Sequence, residues 1–528
     1  MTTTLVRGAT VVDGTGSPPR RADILVRGDR IADVGLWERV EAGSVVDADG
    51  LVATPGFIDT HFHGDLSLFA DPIHACTLRQ GVTTVILGQD GLSYAPLGPA
   101  NLDLWRRYLV GLNGKPDVEA RWSSVAEYRR ALDRRVAVNT AYAVPHAALR
   151  LETVGFRNVP LEGAMLDRAR ALLERGFEEG AVAFSTGLSY FPNAYADTRE
   201  LVALCRVAAH AGRPYVTHVR TVFDVPPADW LLAGLEEALE IGRQSGVAVH
   251  VSHFGPKPWR YESPDALTAP VDRAKADGVD VTLELYPYPA GNTFALIYLP
   301  PFAHEGGPDA LLARIRSGER RKEMLAGIEA NTIRPHGATL AYLPSGRNRR
   351  YLGRTIDEVA RDRGLSVAEA VLALLDEEDL AVGCRDAVPP MDDGWRRFDA
   401  ELMHLLARGD YTIGSDAIPA AEFPHPRTYG AFPRVLRVGR ETGGLPLERL
   451  VHLMTGLPAA RFGLTGRGRI APGAFADLVL LEADRVADRS TYDEPTAAPV
   501  GVRHVMVNGE WVLRDGEPTG RRPGRSVP

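Results

Sequence analysis

Thr54-Pro55-Gly56-Phe57-Ile58-Asp59-Thr60-His61-Phe62-His63 holds a turn, a short apolar strand and an H-x-H pair in one run of chain. Pro55-Gly56 punctuates the backbone, and Gly56 to Thr60 reads as a strand. Two residues apart on extended chain, the imidazoles of His61 and His63 point the same way and can bind one ion together. A strand that ends in ligand chemistry suits a barrel whose working groups stand at the carboxyl ends of its strands. Such a barrel needs seven more strands.

Seven more are legible. Thr83–Leu87, Val138–Tyr142, Ala181–Ser185, Tyr215–His218, Val247–His253, Val281–Glu284 and Tyr411–Asp416 are short apolar runs, with amphipathic helical stretches such as 162–179, 197–211 and 230–245 between them. Alternating β and α elements imply a parallel sheet, and eight strands in order predict an α/β fold of the TIM (β/α)8 barrel type. Residues 290–400, between strands seven and eight, have helical patterns but no βα rhythm and read as an insertion, a lid or subdomain.

Both ends of the chain differ in texture. Thr4-Leu5-Val6, Thr10-Val11-Val12 and Asp23–Val26 near the start, and Asp477–Leu481 and His504–Val512 near the end, are β-rich, the last turning at the hairpin dipeptide Asn508-Gly509. They predict a small β-sandwich domain assembled from residues 1–55 and 466–528, flanking a catalytic domain over 56–465.

The chain has 528 residues, 45 % hydrophobic and 24 % charged, ordinary for a globular protein able to bury a large core. A formal charge of −8 argues against nucleic acid or an anionic membrane as the main partner. Cys76, Cys205 and Cys384 are too few and scattered for a disulfide framework or a metal knuckle. Residues 1–14 lack the basic and apolar regions of a signal peptide, and no apolar run is long enough to span a bilayer. The expectation is a cytoplasmic protein acting on a small molecule; a homo-oligomer is compatible with the sequence.

The remaining strand ends supply partners for the H-x-H pair. Strand two ends in Gly88-Gln89-Asp90-Gly91, strand five in His218, strand six in His253 and strand eight in Asp416. His61, His63, Asp90, His218, His253 and Asp416 would then converge on one mouth, offering nitrogen and oxygen ligands suited to zinc or another divalent metal. His250 has the opposite strand parity to His253, so it is read as structural.

The Thr54–His63 run, the histidines after strands five and six and Gly414-Ser415-Asp416 resemble the amidohydrolase superfamily. Phe184-Ser185-Thr186-Gly187-Leu188-Ser189-Tyr190, Tyr286-Pro287-Tyr288-Pro289-Ala290-Gly291, His425-Pro426-Arg427-Thr428-Tyr429-Gly430, Pro472–Val479 and Thr519–Arg525 are similar to the N-acyl-D-amino-acid deacylase (D-aminoacylase) branch. That resemblance implies metal-dependent hydrolysis of a linear amide, with one or two Zn2+ ions and Asp416 as general acid and base. It also places Tyr190, Tyr288 and Arg427 at the substrate.

This chain departs from the branch at several positions. Asp90 stands where the branch has a cysteine ligand, which makes it the candidate bridge between two metals. Gly255 replaces a substrate-holding lysine, leaving Lys257 two residues on as the substitute, and Asn292 replaces a serine. The carboxylated lysine of many superfamily members is absent: of Lys115, Lys257, Lys275 and Lys322, none falls in the strand-four stretch 180–188. That counts against the alternative of a cyclic-amide hydrolase of the hydantoinase or dihydroorotase kind. Thr221, where deaminases carry a glutamate, counts against deamination, and the retained ligand set counts against an inactive scaffold.

Overall fold

The computed structural model describes every residue except 1–2, 120, 221–229, 259, 332 and 390–394. Eight parallel strands form the central sheet: Phe57–Asp59, Val82–Leu87, Asn139–Pro145, Ala183–Gly187, Tyr215–His218, Val249–Val251, Val281–Leu285 and Tyr411–Ile413, paired in chain order. The first and last strands meet through a bridge between Phe62 and Ala417 and through backbone bonds from Thr60 N to Ile413 O (3.4 Å) and Asp416 N to His61 O (2.8 Å), so the barrel closes. The strands are buried along almost their whole length, which is why they read as apolar runs rather than alternating ones. The interior positions are identifiable from contacts that cross the barrel. Thr60, Thr412, Glu284 and His250, from strands one, eight, seven and six, meet one another there.

The expected helices form close to their expected limits: Gly163–Glu178, Thr198–His210 and Trp230–Ser245. The second starts at Asp197, whose carboxylate accepts the Glu200 N–H at 2.8 Å, satisfying one of the free donors of the first turn. Each helix lays an apolar stripe on the barrel, and every fully buried Leu or Val there contributes about 1.5–3 kcal/mol.

Between strands seven and eight the chain builds a small antiparallel sheet of Asn292–Phe294, Gly383–Arg385 and Thr339–Tyr342, with helices Gly307–Arg316, Gly318–Ala330, Ile356–Arg363 and Val367–Glu377. The last two begin with reciprocal capping boxes, Thr355 with Glu358 and Ser366 with Glu369.

The termini form one nine-stranded mixed sheet. Its seam is the antiparallel pairing of Val52–Pro55 with Leu478–Leu481, two segments from opposite ends of the chain. Alternation then does two jobs at once. Leu478 and Leu480 join Val6, Ile24, Ala53 and Met506 in a core belonging to the sheet, while Val479 and Leu481 face the barrel's core. Asn508 and Gly509 turn the C-terminal hairpin with φ of +47° and +81°, as an Asn-Gly turn requires.

The last residues leave this sheet and run along the amino end of barrel strand three. Gly524 N donates to Val136 O (2.9 Å), Thr140 N to Arg525 O (2.9 Å) and Val527 N to Thr140 O (2.8 Å). Val527 packs with Ile58, Ile86, Ala141 and Val216 inside the floor of the barrel. Beside it, Asn139 Oδ1 accepts from Asn508 Nδ2 (2.7 Å) and Arg525 N (3.0 Å). Among the described residues no helix is long and apolar enough to cross a membrane.

Candidate metal centre

At the opposite, carboxyl end of the barrel six side chains from five strand ends come together. His61 Nε2 and His63 Nε2 lie 3.2 Å apart, and His218 Nδ1 and His253 Nε2 lie 2.9 Å apart. Asp90 stands between the two pairs. Its Oδ1 is 3.5 Å from His61 and 3.8 Å from His253, and its Oδ2 is 3.6 Å from His63 and 3.8 Å from His218. Asp416 Oδ1 completes the group, 3.3 Å from His63 Nε2 and 3.7 Å from His61 Nε2. Two overlapping sets, His61–His63–Asp416 and His61–Asp90–His253, each keep their ligand atoms within 4.8 Å of one another. All six residues predicted from the strand ends are thus in one place.

Backbone bent into the left-handed region puts several of them there. Asp90, His253 and Asp416 have φ of +54°, +36° and +50°, an uncommon conformation for non-glycine residues that clusters at functional sites. Two glycines permit the close approaches. A Cβ on Gly88 would sit 2.1 Å from Ala143 O, and one on Gly414 would sit 2.7 Å from both His61 Cβ and Glu284 Cδ.

The left-handed turn at His253 also corrects the parity argument. His250 is the residue whose strand parity faces the interior, where its Nδ1 meets Thr282 Oγ1 at 2.7 Å. Its strand ends at Val251, and the turn beyond resets the phase, so His253 reaches the mouth despite its parity. His250 lies below the mouth, outside both ligand sets.

Glu284, on strand seven, is the functional residue that sequence reasoning missed. Its Oε1 accepts from His61 Nδ1 (3.0 Å) and from His253 N (3.2 Å), and its Oε2 accepts from Thr60 Oγ1 (3.0 Å). A carboxylate on Nδ1 fixes the tautomer that leaves His61 Nε2 lone-paired toward the centre. The signal was an acid inside the wholly buried strand Val281–Leu285. Asp59 ties down the other side by accepting Ser415 N at 2.8 Å and the Ser415 hydroxyl. Burial pushes the Asp59 carboxyl up to about 7 against these bonds.

Charge in the mouth is balanced by position. Burial raises the Asp416 carboxyl, but Arg427 and His61 outweigh it and hold it below the ordinary range. Asp90 is likewise raised by burial and taken well below by His61, His253 and His63. Burial and the neighbouring His253 push His218 down to about 3, so it stands neutral, as a ligand must. A cation fits this donor set on the structure's own terms: Asp90 Oδ1 is buried with no hydrogen-bond donor, and the paired imidazole nitrogens face each other.

A cavity of ≈ 320 Å³ opens over the centre, lined by Tyr190, Lys257, Tyr286 and Asn292 among others. Tyr190 hydrogen-bonds Thr293 Oγ1 at 3.0 Å and packs against His218 with ring centroids 5.0 Å apart. Lys257 is half-buried in the wall. The tyrosine of the Tyr-Pro-Tyr run that faces the cavity is Tyr286, not Tyr288. Tyr288 points behind it, against His425 (5.4 Å) and the Arg434 guanidinium (5.4 Å), because the Tyr-Pro-Tyr run lies beyond the strand Val281–Leu285 and does not keep the strand's alternation. Arg427 does not line the cavity. It is fully buried behind the mouth, with Nη1 2.9 Å from Asp416 Oδ2, Nη2 donating to Asn292 O (3.2 Å) and its plane 4.5 Å over the Tyr286 ring. Thr221 lies outside the described residues.

A closed (β/α)8 barrel with histidines and aspartates gathered at its carboxyl mouth defines a class, the metal-dependent hydrolases built on this fold. Residues 44–513 match the family model described as the amidohydrolase family, and the chain belongs to that family. It is 35 % identical to an N-acyl-D-glutamate deacylase of Alcaligenes xylosoxydans xylosoxydans over 99 % of this chain and 95 % of that one. A solved D-aminoacylase structure, concerned with its binuclear metal centre, superposes with a TM-score of 0.80 at 33 % identity over 99 % of both chains. The N-acyl-D-glutamate deacylase of Bordetella bronchiseptica, complexed with zinc and a phosphonate mimic of the tetrahedral intermediate, gives the same three values. The protein is therefore a metal-dependent amidohydrolase related to the N-acyl-D-amino-acid deacylases.

Proposed function

We propose that the protein hydrolyses the amide bond of N-acyl-D-amino acids, holding one or two Zn2+ ions through His61, His63, Asp90, His218, His253 and Asp416. The observation that carries the ligand assignment is the placement of Asp90, with one carboxylate oxygen toward His61 and His253 and the other toward His63 and His218. A carboxylate so placed is suited to bridge two cations. When bound, the metal supplies a water of lowered pKa, about 7, and polarises the scissile carbonyl.

The chain's own residues do the rest. Arg427 grips Asp416 Oδ2 and keeps the carboxylate ionised, leaving Oδ1 on the side of His61 and His63. Oδ1 takes the proton of the attacking water and passes it to the leaving nitrogen. The Tyr190 hydroxyl, in the cavity wall, offers a donor to the tetrahedral oxyanion. Lys257, in the same wall, takes the substrate carboxylate; Arg427, buried behind the mouth, acts only through Asp416 and the Asn292 carbonyl. Glu284 and Asp59 hold the first and last strand ends in register. The substrate is a small molecule, and the protein works in the cytoplasm over a barrel whose accessory sheet spans residues 1–55 and 466–528.

The test is metal analysis of the purified protein together with a screen of N-acetyl-D- and N-acetyl-L-amino acids. Stoichiometric metal and turnover confined to the D series are expected. Metal-loaded protein that releases acetate from neither series overturns the reading.

A further inference from the structure

The cavity wall carries a second charge that the reaction does not use. Asp386 follows the short strand Gly383–Arg385 and is hooked in place by its N–H, which donates to Gly291 O at 3.0 Å. Its carboxylate presses on that loop: a Cβ on Gly291 would lie 2.6 Å from Asp386 Oδ2, so glycine there makes room for the acid. The side chain is open to the cavity. Among the described residues, no basic group comes within ion-pair distance of this carboxylate and no side chain hydrogen-bonds it, and the same holds for the Lys257 ammonium.

Asp386 and Lys257 feel each other without touching. The Arg427 and Lys257 charges pull on the Asp386 carboxylate from a distance. Burial and Arg260 push Lys257 down to about 8, with Asp386 opposing. The wall also carries apolar side chains, Leu112, Ile297 and Ile333, beside Asn292, Thr293 and Arg260. The cavity thus presents the Asp386 carboxylate and the Lys257 ammonium, each without an ion-pair partner, with the Arg260 guanidinium also in the wall. A ligand that answers both must itself carry a carboxylate and a cation.

We infer that Asp386 and Lys257 form a dipolar subsite selecting N-acyl amino acids with a basic side chain, of the lysine, ornithine or arginine class. The inference rests on the deacylase reading above and narrows it. The substrate carboxylate sits at Lys257 and the side-chain ammonium or guanidinium at Asp386, with the alkyl stem along the apolar wall. An acidic side chain would meet the Asp386 carboxylate and be repelled, a difference from the relatives named for D-glutamate.

The experiment compares kcat/KM for N-acetyl-D-lysine, its uncharged near-isostere N-acetyl-D-norleucine and N-acetyl-D-glutamate, using the metal-loaded full chain. A charge-assisted hydrogen bond predicts a preference of roughly 10- to 100-fold for the lysine derivative over norleucine. Asp386→Asn should erase that preference while leaving norleucine turnover within about threefold, and Asp386→Lys should transfer the preference to glutamate. Melting curves of both variants check that the fold is kept. Wild-type protein that hydrolyses norleucine or glutamate derivatives as well as lysine, or an Asp386→Asn variant with an unchanged ratio, overturns the dipolar subsite alone. Absence of hydrolysis across the panel overturns the deacylase reading and the subsite together.

Discussion

The two ends of the barrel use the same strands for opposite purposes. At the carboxyl mouth the backbone is strained at Asp90, His253 and Asp416, and acids and imidazoles crowd together with unanswered valence. At the amino floor the tail segment Gly524–Val527 is hydrogen-bonded along strand three, Asn139 is fully engaged, and Ile58, Ile86, Val216 and Val527 fill the interior. The floor's backbone and Asn139 are paired within the fold, whereas the mouth leaves Asp90 Oδ1 and His63 Nδ1 buried without a hydrogen-bond partner. Substitutions at the mouth should therefore alter chemistry and those at the floor stability, with little crossover.

The sharpest break of that contrast would come from Asp416→Asn. As the proton carrier it should cost about 10²- to 10⁴-fold in kcat with the melting temperature nearly unchanged, measured on protein shown to keep its metal. A stability loss in place of the rate loss would erase the distinction. Next comes Glu284, which touches the mouth from inside the barrel. Glu284→Ala should weaken metal binding about 10- to 100-fold in chelator competition, and Glu284→Gln less, since the amide oxygen still accepts from His61 Nδ1. On the floor, Val527→Ala should cost about 1–2 kcal/mol of unfolding free energy in urea while leaving kcat/KM per folded molecule intact. The smallest effect sharpens the mouth. Lys257, pushed down to about 8 by burial and Arg260, is charged below that pH and neutral above it. KM for an anionic substrate should therefore rise up to about tenfold between pH 7 and 9 in the wild type and stay flat in Lys257→Met.

Much of this architecture was legible because barrel strands announce themselves. Doubly buried runs such as Val82–Leu87 and Val281–Leu285 are apolar throughout, and the residues just past them are polar for a reason. The six candidate ligands followed from that rule alone. The misreadings came where local geometry departed from regularity. His250 lies outside both ligand sets, but the strand parity used to set it aside does not carry past Val251, since a single left-handed residue at His253 resets it. Glu284 hid in plain sequence as one letter in an apolar strand, its meaning set by His61 more than 200 residues away in the chain. Tyr286 and Tyr288 are two residues apart on one run, and only the packing of Arg434 and His425 decides which turns inward. The three-residue strands inside the 290–400 segment are too short to leave a periodic trace.

The seam between Val52–Pro55 and Leu478–Leu481 bears on how the molecule is made. The strand that delivers His61 and His63 is synthesised long before the segment that anchors its root. Pairing across so long a loop is slow and entropically costly. The nascent chain should carry an unmatched strand edge until Leu478–Leu481 has been made, and chaperone dependence should be greatest in that interval.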